Sequence, residues 1–406
     1  MPVLLIGTLD TKGVELQFVR DLLHEAGVAT LVVDAGVLGP PHFAPDVPRE
    51  QLYAAAGTSL EAVRQAGDRG GAVKAAAEGV ARIAELHAKD IEGALALGGS
   101  AGTTIGTAAM RALPFGVAKL MVSTLASGQV RPYVGVRDVI MMNSVVDISG
   151  LNRISRAVLA NAANAMIGMV KGPASRPAEA GPDEGKPLIT ATMFGVTTPC
   201  VEAARKIMEA NDYEVLVFHA TGVGGLTMES FVRDGLIAGV LDVTTTELAD
   251  ELVGGVLSAG RDRLTAAGLR GVPQVVSLGA LDMVNFGPPE TVPEKFRARR
   301  FYQHNPTVTL MRTTPEENDA LGKEIAMKAS AARGPVAVLV PRRGVSALDA
   351  EGQPFWWPEA DEVLFQSLRL WMGPHVRLVE LDLHVNDPAF AAEAARLLLE
   401  MLRRAS

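Results

Sequence analysis

Residues 7 to 12 join a glycine, two hydroxyls, a carboxylate and an ammonium group in one short segment, Gly7-Thr8-Leu9-Asp10-Thr11-Lys12. The segment follows the apolar run Val3 to Ile6 and precedes an amphipathic stretch, so we expect a turn between a strand and a helix. A glycine lets the backbone approach a ligand closely, and the N-terminus of a helix offers free N–H groups and positive dipole charge. These residues therefore predict a site for a phosphate and its counter-ion.

A second segment of this kind is Gly98-Gly99-Ser100-Ala101-Gly102-Thr103, and a third is Ser123-Thr124-Leu125-Ala126-Ser127-Gly128. Each follows a predicted strand, as expected of ligand-binding turns in open parallel sheets. The second segment lacks the lysine and spacing of a Walker A loop and the full dinucleotide fingerprint. The competing interpretation is a tight turn with an ordinary helix cap.

Two carboxylates, Asp10 and Asp34, follow the first two predicted strands. A carboxylate at this position could hold Mg²⁺ or accept hydrogen bonds from ribose hydroxyls. Asp34 is the stronger ribose candidate because it ends a strand. A helix cap is the alternative for Asp10, and an ordinary solvated side chain is the alternative for Lys12.

The second half of the chain has its own polar strand ends, from which we select His219, Asp282 and Arg342 as candidate catalytic residues. A histidine suits proton transfer, and an arginine can bind a carboxylate or phosphate in a bidentate manner. If these ends converge, Glu247, Asn285 and Ser346 would complete the site. The alternative for His219 is a structural hydrogen bond in a turn. No metal-binding motif of histidines or clustered cysteines is present, so we predict no protein-bound metal.

Strand-like and helix-like patterns alternate along the chain, which predicts parallel pairing, right-handed crossovers and helices on both faces of each sheet. We therefore predict an α/β fold of two Rossmann-like open parallel-sheet domains. A segment rich in proline and glycine separates them and is typical of a linker. The predicted domains are therefore 1–171 and 188–406, with the linker at 172–187.

Predicted strands of the first domain are Val3 to Ile6, Thr30 to Asp34, Ala94 to Leu97, Lys119 to Ser123 and Val139 to Val145. Those of the second are Leu188 to Phe194, Glu214 to His219, Gly239 to Val243, Gln274 to Leu278, Val308 to Leu310, Val336 to Val340 and Arg377 to Leu381.

The bulk properties restrict the class of protein. The chain has 406 residues, 48% of them hydrophobic, and a formal net charge of -8. A net negative charge argues against the concentrated basic surface that nucleic-acid binding needs, and a local basic patch is the alternative. The single cysteine, Cys200, allows no intramolecular disulfide, and no apolar run is long enough for a membrane span or a signal peptide. We expect a cytoplasmic protein with no nucleic-acid or membrane partner.

Taken together, the motifs resemble the ATP-binding family named after tomato's tomato mosaic virus resistance protein. The matching segments are GTLDTKG from Gly7, GGSAGT from Gly98, KLMVSTLASG from Lys119, FGVTTP from Phe194, HATGVG from His219 and PRRGVSALD from Pro341. The resemblance implies ATP binding in the first domain and a homodimer. Its nucleotide site should involve Gly7, Thr8, Asp10, Thr11, Lys12, Gly98, Gly99, Ser100, Gly102, Thr103, Ser123, Thr124, Ser127 and Gly128. Ala101 departs from the pattern, because many relatives carry a glycine there.

The leading hypothesis is an ATP-binding protein that transfers a phosphoryl or adenylyl group to a small organic acid in a cleft between the domains. Mg²⁺ would neutralise the phosphates and Arg342 would hold the acid. A lyase or hydrolase centred on His219, with the nucleotide as effector, is one alternative. A nucleotide-gated binding protein without turnover is the other.

Overall fold

The computed structural model describes residues 1–172 and 185–405, which divide into two compact units, Met1–Gly181 and Pro182–Ser406. Residues 173–184 of the predicted linker lie outside the described residues. Each unit is built on a parallel sheet with helices packed on both faces, which confirms the predicted fold class.

Unit 1 contains a five-stranded parallel sheet, sheet A, in the order β2-β1-β3-β4-β5. Its strands are β1 Val3–Gly7, β2 Thr30–Asp34, β3 Gly93–Gly98, β4 Ala118–Ser123 and β5 Ile140–Asn143. Its helices are α1 Gly13–Glu25, α2 Arg49–Ala55, α3 Leu60–Ala66, α4 Arg69–Leu86, α5 Ser100–Ala112, α6 Arg131–Val134 and α7 Arg153–Lys171. Strand β3 is buried along its whole length, as expected for a strand covered on both faces.

The helices of unit 1 cover the sheet because each presents an apolar stripe to it. Helices α1 and α7 pack on one face around Leu16 and Leu159, and α2, α4 and α5 pack on the other around Leu52 and Val80. In α7 the buried residues lie on one side, and Asn152 and Ser155 form a capping box at its start. Helix α7 therefore packs within its own unit.

Unit 2 contains a six-stranded parallel sheet, sheet B, in the order β14-β13-β9-β8-β6-β7. The strands of unit 2 are β6 Leu188–Met193, β7 Glu214–His219, β8 Gly239–Thr244, β9 Gln274–Gly279, β10 Met283–Phe286, β11 Phe301–Asn305, β12 Val308–Arg312, β13 Val336–Pro341 and β14 Arg377–Leu381. Its helices are α8 Thr198–Glu209, α9 Val223–Arg233, α10 Thr246–Val253, α11 Ala266–Arg270, α12 Pro315–Ser330, α13 Pro358–Trp371 and α14 Pro388–Ala405. Two short 3₁₀ turns, Pro289–Thr291 and Glu294–Phe296, follow β10.

One strand prediction in unit 2 was wrong in its pairing. The apolar run at Val308 does form a strand, β12, but it pairs antiparallel with β10 and β11 in a separate three-stranded sheet. Strands β10 and β11 were not predicted. The three strands follow one another without a long helix between them, and such short connections allow antiparallel pairing.

Candidate functional site

The strand order of sheet A reverses between β1 and β3. From β1 the chain continues to β2 on one side, and from β3 it continues to β4 on the other. Ligands of open α/β sheets bind outside the carboxyl ends of the strands at such a switch point. A cavity of about 730 Å³ lies there, within the size range of small-molecule sites. We call it the switch-point cavity. Its lining residues are Thr8, Asp10, Thr11, Lys12, Ala35, Val37, Leu38, Tyr53, Val63, Arg64, Gly67, Asp68, Arg69, Ala72, Val73, Ala76, Leu97, Gly98, Gly99, Ser100, Ala101, Gly102, Ile105 and Asp147.

The two segments predicted first from the sequence meet at this cavity. Thr8 to Lys12 follow β1, and Gly99 to Gly102 follow β3, which ends at Gly98. The two strands are hydrogen-bonded neighbours. Their carboxyl ends therefore lie side by side, although about 90 residues of sequence separate them. The sequence predictions placed both segments in one site for this reason.

Helix α5 begins at the cavity with free amide groups, and Lys12, the residue before α1, also lines the cavity. Helix α5 starts after Gly99 and α1 starts after Lys12, and neither of these N-cap residues supplies a side-chain cap. The first amides of a helix have no acceptor within the helix and carry the positive end of its dipole. Helix α5 thus brings the free amides of Ser100, Ala101 and Gly102, donors of the kind that anions accept, to residues of the cavity lining.

The glycines of the second segment have different roles. A Cβ at Gly98 would lie 2.6 Å from the Cα of Gly102, so only glycine lets β3 approach the first turn of α5 this closely. A Cβ at Gly99 would have Thr124 Oγ1 as its nearest neighbour, at 3.7 Å. Ala101, the departure from the family pattern, lies in the first turn of α5, where an alanine is a good helix former.

Thr103 and Ser123 support the loop rather than line the cavity. Both are buried; Thr103 Oγ1 donates to the carbonyl of Gly99 (2.7 Å) and lies 2.6 Å from Ser123 Oγ. Ser123 Oγ accepts the N–H of Leu125 at 2.9 Å. Thr124 is partly buried beside Gly99, whereas Ser127 and Gly128 are exposed and lie outside the cavity lining.

Asp34 is placed differently from its predicted role. Its side chain is fully buried, with Oδ1 accepting the N–H groups of Leu9 (3.0 Å) and Gly36 (2.8 Å). Its Oδ2 lies 2.8 Å from Nε and 2.6 Å from Nη2 of Arg49. These contacts hold the loops after β1 and β2 together and leave no free oxygen for a ribose. Gly7, opposite Asp34 in the register, is buried against Leu16.

Two residues of the cavity lining, Asp10 and Tyr53, carry buried polar atoms without hydrogen-bond partners. Asp10 Oδ2 accepts the N–H groups of Val37 (3.1 Å) and Leu38 (2.8 Å), but Oδ1 has no hydrogen-bond partner. Tyr53, from α2, is fully buried and its hydroxyl has no partner either. Burial and the nearby Asp34 raise the pKa of Tyr53 to about 12, so the hydroxyl keeps its proton.

The other side of the cavity combines apolar side chains with the charged residues Arg64, Asp68 and Arg69. Val63 comes from α3, Val73 and Ala76 from α4, and Ile105 from α5. Arg64 donates from Nε to the carbonyl of Val37 at 2.6 Å and so fixes the loop after β2. Sequence reasoning missed Tyr53 and these apolar residues, because helices α2 to α4 carry no ligand motif. Their place in the crossover between β2 and β3 was the one available signal.

Lys12 reaches across to the loop after β5. Its ammonium group donates to the carbonyl of Ile148, and the neighbouring Asp147 lines the cavity. An ammonium group has three donors, so this bond leaves capacity for a ligand. In the same turn, the hydroxyl oxygens of Thr8 and Thr11 lie 2.6 Å apart and share a hydrogen bond.

Unit 2 does not bring the three predicted catalytic residues together. His219 ends β7, the edge strand, and is exposed, whereas Arg342 follows β13 and pairs with Glu362 (3.3 Å) and Glu380 (3.7 Å). Strands β6, β8 and β9 lie between β7 and β13. The two strands are thus four spacings, about 19 Å, apart.

Asp282, the third of these residues, is buried next to β9. Ser346 Oγ donates to its Oδ2 at 2.8 Å, and Oδ1 has no hydrogen-bond partner. Burial and the like charge of Asp349 raise the pKa of Asp282 to about 7. Asn285, a further candidate, bonds from Nδ2 to Asp250 Oδ2 at 2.6 Å.

The glycine-rich turn after β7 is filled by a side chain of the protein. Glu247 Oε1 accepts the N–H groups of Gly222 (2.7 Å) and Gly225 (3.0 Å) at the start of α9. Its Oε2 accepts Nε of the fully buried Arg263 at 2.7 Å. Arg263 also bonds through Nη2 to Asp242 Oδ1 at 2.6 Å. An internal carboxylate therefore occupies the position that a phosphate would take.

Two features are absent from the described residues. Within them, no group of three or more histidine, cysteine, aspartate or glutamate side chains is placed to hold a metal ion. None of the helices in the described part of the chain is long and apolar enough to cross a membrane.

Comparison with known proteins places the chain in a family. Residues 1–175 match the model for the N-terminal domain of the uncharacterised protein family UPF0261, and residues 186–402 match the model for its C-terminal domain. The chain belongs to the UPF0261 family.

UPF0261 relatives include bacterial and plant proteins. A UPF0261 protein of Clostridium tetani is 50% identical over 99% of both chains, and one of Mesorhizobium japonicum is 48% identical over 98% of both chains. The tomato protein named ToMV resistance protein Tm-1(GCR237) is 46% identical over 77% of this chain and 42% of its own length. The tomato relationship predicted from the motifs is thereby confirmed.

Proposed function

We propose that this UPF0261 protein binds ATP in the switch-point cavity of unit 1. The observation that carries the proposal is an open cavity lined by the uncapped N-terminus of α5 and by Lys12, the residue before α1. A helix N-terminus favours anions, and an N-terminus together with a lysine in one cavity lining favours a ligand with several negative charges. The resemblance to an ATP-binding family points to the same ligand.

The phosphates would lie against the polar end of the cavity. The amides of Ser100 to Gly102 would donate to phosphate oxygens, and Lys12 would add a mobile positive charge. Mg²⁺ at nucleotide sites takes one or two carboxylates and completes its shell with phosphate oxygens and water. Asp147, which is exposed at the cavity, is the carboxylate that fits this role.

The adenine ring would lie against the apolar end. Val63, Val73 and Ile105 offer aliphatic surface there, and a flat aromatic ring loses contact with water when it packs on such groups. A triphosphate at one end and a base at the other match the two chemical sides of the cavity.

The test is calorimetric titration of Mg-ATP into the wild-type protein and into Gly99→Asp. The new Cβ has room, with its nearest neighbour at 3.7 Å, so the variant should fold, but its carboxylate would meet the phosphates. We expect a loss of at least about 100-fold in affinity, since like charges at close range repel by several kcal/mol. Gly168→Asp is the matched control, because Gly168 is exposed in α7 with no atom within 4 Å of a new Cβ. No heat with the wild type, or equal affinity in Gly99→Asp, would refute the proposal.

Transfer of a phosphoryl or adenylyl group to a small organic acid stays a separate proposal. The separation of His219 from Arg342 and the burial of Asp282 give it no support within unit 2. Incubation of the protein with Mg-ATP and candidate acids, with detection of ADP, AMP and pyrophosphate, tests it. A lyase that uses ATP as an effector, or a binding protein without turnover, would release none of these.

A further inference from the structure

Two buried polar atoms, each on a residue of the switch-point cavity lining, are left without a partner by the protein itself. They are Asp10 Oδ1 and the Tyr53 hydroxyl, and both residues line the cavity. The Asp10 side chain is 3% exposed and Tyr53 is fully buried. A buried polar atom without a partner costs about 1–3 kcal/mol, so such atoms are rare unless a ligand or water satisfies them.

The two atoms require complementary partners. Asp10 Oδ1 accepts a hydrogen bond, since the carboxylate is an acceptor when ionised. Tyr53 offers a hydroxyl that keeps its proton and can donate. A ligand hydroxyl donates and accepts at once, so hydroxyl groups suit this pair.

The position of Asp10 and Tyr53 in the cavity lining indicates which part of a bound nucleotide they would contact. Asp10 lies in the turn whose Thr8, Thr11 and Lys12 line the polar end. Its other oxygen, Oδ2, is held by the amides of Val37 and Leu38, two residues of the cavity lining. The Asp10 carboxylate thus lies between the turn after β1, which we expect at the phosphates, and the lining residues Val37 and Leu38. In a nucleotide, the sugar joins the phosphates to the base.

We propose that Asp10 and Tyr53 bind the ribose hydroxyls, so that the cavity selects ribonucleotides over deoxyribonucleotides. The proposal rests on ATP binding at this cavity and names its selectivity. It moves the ribose contact from Asp34, whose oxygens are both engaged, to Asp10, which has one oxygen to offer.

The experiment compares ATP, 2′-deoxyATP and 3′-deoxyATP, each with Mg²⁺, by calorimetry on the wild type, Tyr53→Phe and Tyr133→Phe. The three ligands share base and triphosphate, so the proposed base and phosphate contacts are common to all of them. Tyr133→Phe is the matched control, because Tyr133 belongs to the same unit but does not line the cavity. Thermal melting of the free variants reports folding; Tyr53→Phe should not lower the melting temperature, since its hydroxyl has no partner to lose.

We expect the wild type and Tyr133→Phe to bind ATP about tenfold or more tightly than at least one deoxynucleotide. Tyr53→Phe should bind ATP more weakly, by about tenfold, while that deoxynucleotide binds as it does to the wild type. Equal affinity of the wild type for all three ligands, or unchanged selectivity in Tyr53→Phe, would overturn the ribose proposal and leave ATP binding standing. If none of the three ligands binds the wild type, ATP binding itself fails.

Discussion

The two units share one order of parallel strands, but their glycine-rich turns differ: those of unit 1 are open, and the one after β7 in unit 2 is filled by a side chain. In sheet A the order is β2-β1-β3-β4-β5, and sheet B repeats it as β7-β6-β8-β9-β13 with β14 added at the edge. The turns after β1 and β3 open into a cavity, whereas the glycine-rich turn after β7, the counterpart of β2, is occupied by Glu247. A strand, a glycine turn and a helix therefore do not define an anion site by themselves. The site is open only if no carboxylate of the protein reaches it.

The residues behind each turn explain the difference. In unit 2 the carboxylate of Glu247 tolerates burial because Arg263 pairs with it. At the neighbouring ends of β6 and β8, the hydroxyl oxygens of Thr197 and Thr244 lie 2.8 Å apart and share a hydrogen bond. In unit 1 the buried pair of Asp34 and Arg49 ties loops together away from the N-terminus of α5. A buried carboxylate requires a partner, so the position of the arginine decides which turn is filled.

The largest expected effect comes from removing the cation behind the filled turn. Arg263→Met would leave Asp242, Glu247 and Glu229 buried without their arginine. Removing one partner of a buried ion pair costs about 3–5 kcal/mol, and we expect a loss of this size in the free energy of unfolding measured with urea. Arg261→Met is the control, because this side chain is 94% exposed and should change stability by less than about 0.5 kcal/mol. Similar stabilities of the two variants would mean that Arg263 does not hold the turn closed.

An intermediate effect is expected from closing the open turn. Gly98→Ala would place a Cβ 2.6 Å from the Cα of Gly102, and backbone cannot yield as a flexible side chain does. We expect a loss of about 1–3 kcal/mol in the free energy of unfolding, together with weaker ATP binding. Gly99→Ala, where the new Cβ has space, serves as the comparison and should lose much less stability. Equal losses would show that Gly98 and Gly99 are not packed differently.

The smallest effect is a pH dependence that belongs to unit 2. The pKa of Asp282 is about 7 in the folded protein, against an ordinary value of 3.8. Between these values the unfolded chain releases a proton that the folded chain keeps, so the stability contributed at low pH is lost as pH rises toward 7. Asp282→Asn removes this dependence. The stability advantage of the wild type over this variant should shrink by ~1.4 kcal/mol per pH unit between about pH 4 and 7 and then stay constant.

The measurement is urea unfolding of wild type and Asp282→Asn across this range of pH. Asp262→Asn, a change at an exposed residue, is the control for the loss of one carboxylate. A constant difference for Asp282→Asn would show that Asp282 is ionised in the folded protein. Its burial beside Asp349 would then need another compensating charge.

Much of the fold and the position of the candidate site could be predicted from sequence. Apolar runs alternate with helical periods, and strands separated by helices must pair in parallel. The segments after β1 and β3 could be assigned to one site because parallel neighbouring strands end at the same edge. The strands β10 and β11 escaped this reasoning, since short antiparallel strands need no helix between them.

The sequence by itself determined the α/β class, the parallel sheets, the glycine turns and the membership in UPF0261, because local periodicity and motif order carry that information. Tertiary structure decided which turns are open. Asp34 is engaged by loop amides and by Arg49, Asp10 keeps a free oxygen, and Glu247 fills the turn in unit 2. These outcomes depend on which charges the fold buries together. Distant residues set that pairing, and the spacing along the chain does not record it.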